Sequence, residues 1–153
     1  MDGRLASPKG SERSKKPQSY KDLEIYQLAY QGAVRVHRMT LEKLPKFEMF
    51  AEGDQIRRSS KSIVNNIVEG FGRKHYRAEY IKHLTYALSE CDETKEHLKL
   101  LHDTGSLTDE AYYRQELAFY ETLGRKIYTF RESVIANKPY QPKPETWDLR
   151  PET

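Results

Sequence analysis

The stretch that decides the fold is residues 55–70, which read QIRRSSKSIVNNIVEG. Three isoleucines in it recur at spacings of seven and four, the period of one face of an α-helix: Ile56, Ile63 and Ile67. Serines lie between them as small neighbours, and Gly70 and Gly72 follow as stop signals. The pattern predicts a helix over about 48–69 with its isoleucines facing a core.

Three more helical patterns flank this one. The first covers about 20–44 and is ended by Pro45, which disfavours helix in the preceding residue. Another covers about 77–103 and is closed by Gly105. The last opens at Thr108, a good N-cap, and fades near residue 137.

Apolar spacing predicts which side chains of these helices face inward. On the first helix they are Leu23, Tyr26, Tyr30, Ala33, His37 and Leu44. On the third they are Ile81, Leu84, Leu88, Cys91 and Leu98, a heptad stripe broken by Lys95. On the fourth they are Tyr113, Leu117, Tyr120, Ile127 and Val134.

Length and composition favour one all-α domain. The chain has 153 residues, 37% hydrophobic and 32% charged, a mixture that suits amphipathic helices with solvated outer faces. Short connections force consecutive helices to run antiparallel. We therefore predict an antiparallel up-down-up-down four-helix bundle over residues 19–137.

Two tails are expected outside this bundle. Residues 1–18 are basic, polar and nearly devoid of apolar side chains, so we predict a disordered tail. Residues 138–153 hold four prolines and are predicted to be extended. The chain shows no secretory signal and no membrane-spanning run, and its single cysteine fits a reducing cytoplasm.

Catalytic chemistry finds little support in the sequence. Di-iron bundles need Glu-x-x-His on two helices, a spacing absent here. Glu79 with His83, and Glu93 with His97, stand at i, i+4, and are interpreted as surface pairs. Cys91 is interpreted as a buried small hydrophobe rather than a nucleophile. We predict no enzyme activity, no cofactor and no metal.

Charge is unevenly distributed along the chain. The net charge of +3 equals that of residues 1–18 alone, so the remainder is neutral overall. Within it, residues 55–82 carry +5, and much of the compensating acid lies over 90–96. A bundle with one basic and one acidic region can bind a polyanion or a copy of itself.

Residues 55–70 also carry a family resemblance. The positions that match a known signature are Gln55, Arg57, Arg58, Ser59, Ser62, Asn66, Glu69 and Gly70. They resemble the four-helix-bundle family encoded in intervening sequences of large-subunit ribosomal RNA genes, the S23-like proteins. The resemblance extends over about residues 20–137. It departs at Ser89-Glu90, where the family often has Gly-Ser, so helix packing there is expected to differ.

The resemblance implies a bacterial homo-oligomer, typically a pentamer of antiparallel bundles. It also implies an association with RNA, suspected in the family from its genomic setting. A related bundle, the accessory variability protein of diversity-generating retroelements, works with a reverse transcriptase and its RNA. A reverse transcriptase is therefore a further possible partner.

These observations lead to two functional hypotheses. The first is a non-enzymatic oligomer that binds nucleic acid, structured RNA before DNA, through a basic surface on the second helix and the following turn: Arg57, Arg58, Lys61, Arg73, Lys74 and Arg77. The alternative is a protein-interaction scaffold or accessory subunit with no nucleic-acid site. In both, a polar motif has a structural role: Gln55, Ser62, Asn66, Glu69 and Gly70.

Overall fold

A computed structural model describes residues 16–136, and in this range the chain is helical with no strand. Its elements are a 3-10 turn (Tyr20–Asp22), α1 (Glu24–Glu42), a second 3-10 turn (Lys46–Phe50), α2 (Glu52–Gly72), α3 (Arg77–Asp103) and α4 (Glu110–Ala136). The predicted all-α, four-helix fold is confirmed. The predicted tails lie outside the described residues, apart from 16–18. No helix in the described range has the length and apolar character to cross a membrane.

Residue pairs between neighbouring helices show how they run. Thr40 near the end of α1 contacts Arg57 near the start of α2, whereas the earlier His37 contacts the later Lys61. The same opposition joins α2 to α3, α3 to α4, and α4 back to α1. Each helix therefore lies antiparallel to both of its neighbours.

The core side of α3 follows a regular heptad. Its buried residues alternate spacings of four and three: Tyr80, Leu84, Ala87, Cys91, Thr94, Leu98 and Leu101. The predicted stripe was wrong at Ile81, which lies half-buried on its flank, while Leu88 is half-buried and packs against the core. It was not broken at Lys95, because Thr94 occupies the core position and donates a hydrogen bond to Ser59 on α2 at 2.9 Å.

The inward face of α1 also differs from the prediction. The side chains that enter the core from α1 are small or aliphatic: Ile25, Ala29, Ala33, Val36 and Met39. Tyr26 and His37 lie at the flank, and Tyr30 is 53% exposed. Tyr26 packs against the core from the edge of the bundle, so of the two tyrosines the prediction was wrong only for Tyr30, whose amphipathic ring meets solvent.

α4 begins one residue later than predicted and buries a charge. Asp109, not Thr108, caps the helix, because its carboxylate accepts the backbone N–H of Tyr112 at 3.0 Å. Glu116 is buried where apolar spacing favoured Leu117, and it accepts Nε and Nη2 of Arg35 on α1. The buried residues of α4 are Glu116, Tyr120, Leu123 and Ile127.

Candidate nucleic-acid interface

The six cations predicted to contact phosphate do not form one surface. Three lie in the first half of α2: Arg57, Arg58 and Lys61. Three lie at the turn from α2 to α3: Arg73, Lys74 and Arg77. Arg57 and Arg73 are separated along α2 by about 24 Å, at 1.5 Å per residue. The two groups must therefore be considered as two separate sites.

Within the group at the α2–α3 turn, carboxylates pair with Arg73. Arg73 pairs with Glu69 at 3.0 Å and with Glu79 at 3.2 Å. The Lys74 ammonium lies over the Phe71 ring, 4.1 Å from its centroid. Arg73 would have to give up both carboxylates to bind a phosphate, whereas Lys74 keeps its charge but holds it against a ring.

One of the predicted phosphate contacts, Arg57, points into the protein. The side chain of Arg57 is only 13% exposed. It donates to Thr40 Oγ1 at 2.9 Å and to the Met49 carbonyl, and lies 3.8 Å from Asp54. Arg57 therefore ties α1, the second 3-10 turn and α2 together, and is not part of an exposed basic surface. Arg77 is half-buried, and its Nε is buried without a hydrogen-bond partner among residues 16–136.

The polar motif on α2 faces α3. Asn66 donates to the Ser62 carbonyl at 2.9 Å, and its Oδ1 accepts from Nδ1 of His83 at 3.2 Å. Glu90 of α3 lies near Ser62. Burial, and after it the neighbouring Glu93, raises the pKa of the Glu90 carboxyl. Most polar groups of this seam already have partners within the protein.

The remaining members of the motif have unequal roles. Gly70 lies inside α2, where a Cβ would stand 3.1 Å from His83 Cβ and 3.2 Å from Tyr80 Cδ2. It permits close packing of α3, and the helix continues to Gly72 rather than stopping at Glu69 as predicted. Gln55 is exposed and lies outside the seam.

A groove of about 440 Å³ runs along the outer side of α1 and α2. Its lining residues are Tyr30, Ala33, Val34, His37, Arg38, Lys61, Val64 and Asn65. Alanine and valine side chains form an apolar floor, and none of the lining residues is acidic. Of the predicted phosphate contacts, only Lys61 lines it, while Arg58 is nearby, 76% exposed and paired with Asp54 at 3.0 Å.

Positive charge in the groove is not compensated. Neither Lys61 nor Arg38 forms an ion pair with a carboxylate among the described residues. The Lys61 ammonium instead donates to Nδ1 of His37 at 3.1 Å. Burial lowers the pKa of His37, and the charges of Lys61 and Arg57 lower it further. Two unpaired cations that line one groove give it a positive potential, and a positive potential attracts anions.

Tyrosines continue the groove toward the start of α1. Tyr30 lines it and lies against Tyr26, with ring centroids 5.9 Å apart. Tyr26 in turn meets Tyr20 edge-to-face at 5.0 Å. Sequence reasoning missed Tyr30 and Arg38 as site residues, although helical spacing already put Tyr30 and His37 on one stripe. That stripe was assigned to the core.

A second exposed feature is the 3-10 turn between α1 and α2. Phe50 is 92% exposed and Phe47 is 70% exposed. Between them Glu48 is buried, and its carboxylate accepts the Ser106 hydroxyl at 3.0 Å and the Glu52 backbone N–H at 3.1 Å. The buried carboxylate fixes the turn, so both rings are held outward in place.

The side chains weighed for chemistry have structural surroundings. Cys91 is fully buried, its thiol donates to the Tyr120 carbonyl at 3.2 Å, and burial raises its pKa to about 12. His97 hydrogen-bonds Glu52 of α2 rather than the predicted Glu93. Among residues 16–136 no group of three or more His, Cys, Asp or Glu side chains could hold a metal ion.

Comparison with known proteins finds a matching family and similar solved structures. Residues 21–129 match the family described as 23S rRNA-intervening sequence protein. A crystal structure from Bacteroides thetaiotaomicron, of a protein of unknown function from the S23 ribosomal protein family, is similar in fold, with a TM-score of 0.62 and 26% sequence identity. The match covers 71% of this chain and 95% of that one. None of the curated proteins matches this chain.

Proposed function

The chain belongs to the 23S rRNA-intervening sequence protein family, and from this premise we propose that it is a non-enzymatic bundle that binds RNA along the groove between α1 and α2. The observation that carries the proposal is the unpaired positive charge of Lys61 and Arg38 beside an apolar floor. Of the cations first predicted from the sequence, only Lys61 remains in the proposed site, because Arg58 lies beside the groove and is paired with Asp54. The α2–α3 turn and Arg57 are left out.

Electrostatic physics supports this choice of surface. Binding to a nucleic-acid backbone gains free energy when lysine and arginine displace the counterions of phosphate. A cation already paired with a carboxylate, such as Arg73, must give up that partner first. Lys61 and Arg38 have no carboxylate to lose, so each can contribute its full charge.

The experiment is a titration of the full chain against a labelled RNA hairpin over a series of salt concentrations. The test variant carries Arg38→Glu and Lys61→Glu. The control carries Lys74→Glu and Lys82→Glu, which changes the net charge equally at the end of the bundle where Glu79 neutralises Lys82 at 2.9 Å. Residues 1–15 are common to both variants, so any affinity they add cancels in the comparison.

We expect steeply salt-dependent binding by the unmodified chain. The test variant should lose about tenfold or more in affinity, and its slope of log affinity against log salt should fall by roughly one to two. The control should stay within a few-fold of the unmodified chain. Equal losses in both variants, or no binding even at low salt, would contradict the proposal.

The exposed turn favours a second candidate, a self-associating scaffold. Phe47 and Phe50 present two large apolar rings on a fixed backbone, and aromatic side chains are enriched where subunits meet. We propose a second copy of the chain as the occupant, consistent with the homo-oligomer that the family resemblance implies.

The scaffold is tested by measuring molar mass in solution. Phe47→Ser with Phe50→Ser should dissociate the oligomer, whereas Leu100→Ser, an exposed apolar residue on α3, should not. Arg38→Glu with Lys61→Glu should leave the mass unchanged if the groove binds RNA alone. A monomer in the unmodified chain would eliminate the scaffold and leave RNA binding untouched.

A further inference from the structure

The groove between α1 and α2 contains more than a phosphate site requires. Contacts to a duplex backbone need only cations and polar donors at the surface. This groove adds an apolar floor from Ala33, Val34 and Val64, and its volume of about 440 Å³ is within the range of small-ligand sites. Binding of the RNA sugar-phosphate backbone therefore does not account for the apolar floor.

A ring and an amide lie beside that floor. Tyr30 exposes half of its surface, and Tyr26 supports it from behind. Asn65 is exposed on the lining, and its side-chain amide makes no hydrogen bond to any residue in 16–136. An aromatic face, an apolar floor and a free amide are the three groups that recognise the face and edge of a nucleobase.

The cations complete the arrangement. A base inserted into an apolar groove draws its flanking phosphates to the rim, where Lys61 and Arg38 stand unpaired. A paired base cannot reach the groove, because an A-form duplex keeps its bases stacked inside and its major groove too narrow for side chains. The cations are thus complementary to RNA phosphates, and the apolar floor is complementary to an unpaired base.

We propose that the groove binds an unpaired nucleotide of RNA, with its base on Tyr30 and the apolar floor, its edge at Asn65, and its phosphates at Lys61 and Arg38. The inference rests on the RNA function proposed above and narrows it from RNA in general to bulged or single-stranded nucleotides. Tyr30 acts as a stacking residue and Asn65 as an edge-reading residue.

The test uses two hairpins that differ in one nucleotide. One carries a single bulged 2-aminopurine in its stem, and the other is fully paired with 2-aminopurine at the corresponding place. Quenching of 2-aminopurine reports stacking of that base, and anisotropy of an end label reports binding separately. The protein variants are Tyr30→Ala, Tyr30→Phe and Tyr128→Ala.

Tyr128 is a matched control for Tyr30. It is 52% exposed on α4, and the guanidinium of Arg131 lies 5.3 Å from its ring centroid, so it too combines an exposed ring with a cation. It does not line the α1–α2 groove. Tyr30→Phe keeps the ring and loses only the hydroxyl, so it should restore what Tyr30→Ala removes.

We expect the bulged hairpin to bind more tightly than the paired one and its fluorescence to be quenched. Tyr30→Ala should weaken binding of the bulged hairpin by roughly 5- to 150-fold, the range for loss of one stacked base. Tyr30→Phe and Tyr128→Ala should bind nearly as the unmodified chain does. Equal binding of both hairpins with no effect of Tyr30→Ala would overturn this inference and leave the RNA function standing. Equal loss in Tyr128→Ala would overturn it too, and no binding of either hairpin would overturn both.

Discussion

Helix α2 has two neighbours and makes different contacts with each. Toward α3 it forms a polar seam in which Ser59 accepts from Thr94 and Asn66 accepts from His83. Toward the outer side of α1 it leaves a groove, where the Lys61 ammonium meets only His37.

The difference separates two uses of polar side chains. Hydrogen bonds along the α3 seam fix how the two helices align, because a shift along the axis would strand buried donors and acceptors. Polar and charged groups in the groove are bonded to little within the described residues, so they can bind something else. Adjacent residues on α2 can lie one in the interior or the seam and the other at the groove. Such neighbours are matched pairs for experiments.

The largest expected effect comes from Ile63 and Val64. Ile63 is fully buried, so Ile63→Ala should cost about 2–5 kcal/mol of unfolding free energy. Val64 is half-buried beside the groove, so Val64→Ala should cost about 1 kcal/mol, less than full burial of a valine contributes. Urea denaturation measures both. Similar losses would mean that the groove is as tightly packed as the core.

Arg57 and Arg58 give the next comparison. Arg57→Ala removes the hydrogen bonds to Thr40 and the Met49 carbonyl and should cost about 1.5–3 kcal/mol, the range for bonds to charged groups. Arg58→Ala removes an exposed pair with Asp54 and should cost about 0–1 kcal/mol. The reverse order in denaturation curves would show that Arg57 is not a structural tie.

Asn65 and Asn66 sharpen the comparison with one residue type. Asn66→Ala leaves Nδ1 of His83 without its partner and should cost about 1 kcal/mol of stability, with little change in RNA affinity. Asn65→Ala should leave stability unchanged and lower affinity for the bulged hairpin. Denaturation curves and anisotropy titrations measure stability and RNA affinity for both variants. A stability loss in Asn65→Ala together with an affinity loss in Asn66→Ala would contradict the assignment of Asn65 to the groove and Asn66 to the seam.

The smallest expected effects are those of pH on stability. They have opposite signs for Glu90 beside the α3 seam and for His37 in the groove. The raised pKa of Glu90 means that folding disfavours its ionised form, so its contribution is fully present below the ordinary value of 4.5 and is lost as pH rises through the folded-state pKa. Glu90→Gln should therefore stabilise the protein at pH 7, and the gain should vanish below pH 4.5.

His37 should behave in the opposite way. Its pKa is lowered below the ordinary 6.5, so the unfolded chain binds a proton first and stability falls as pH drops below that value. His37→Gln should match the unmodified chain well above pH 6.5 and exceed it in acid. Thermal melts of Glu90→Gln and His37→Gln across pH measure how the stability gain of each variant changes with pH. Gains that change in the same direction would contradict the opposite pKa shifts of Glu90 and His37.

Sequence periodicity was enough to predict where the helices lie, but it did not identify the buried face of every helix. The isoleucines of α2 identified its core side because they are apolar and regularly spaced. On α3 the core position taken by Thr94 could not be read, since its polarity is acceptable only opposite Ser59, a partner on another helix. On α1 the small residues Ala29 and Gly32 face inward, while Tyr30, which looks like a core residue in the sequence, lines the groove.

The candidate site was harder to predict for a related reason. Whether a cation is free depends on its partners, and only local partners are visible in the sequence. The pair of Arg73 with Glu69 follows from i, i+4 spacing. The contacts of Arg57 with Thr40 and Met49 cross between elements, so they required the structure.

The burial of Cys91 makes its thiol a built-in probe of how often the bundle opens. The chain has one cysteine, and its thiol is sealed in the core with a pKa of about 12. A disulfide reagent can therefore react only when the bundle opens far enough to expose it, and the labelling rate reports how often that happens. No probe has to be introduced, so the opening of every variant above can be timed by one reaction at one atom.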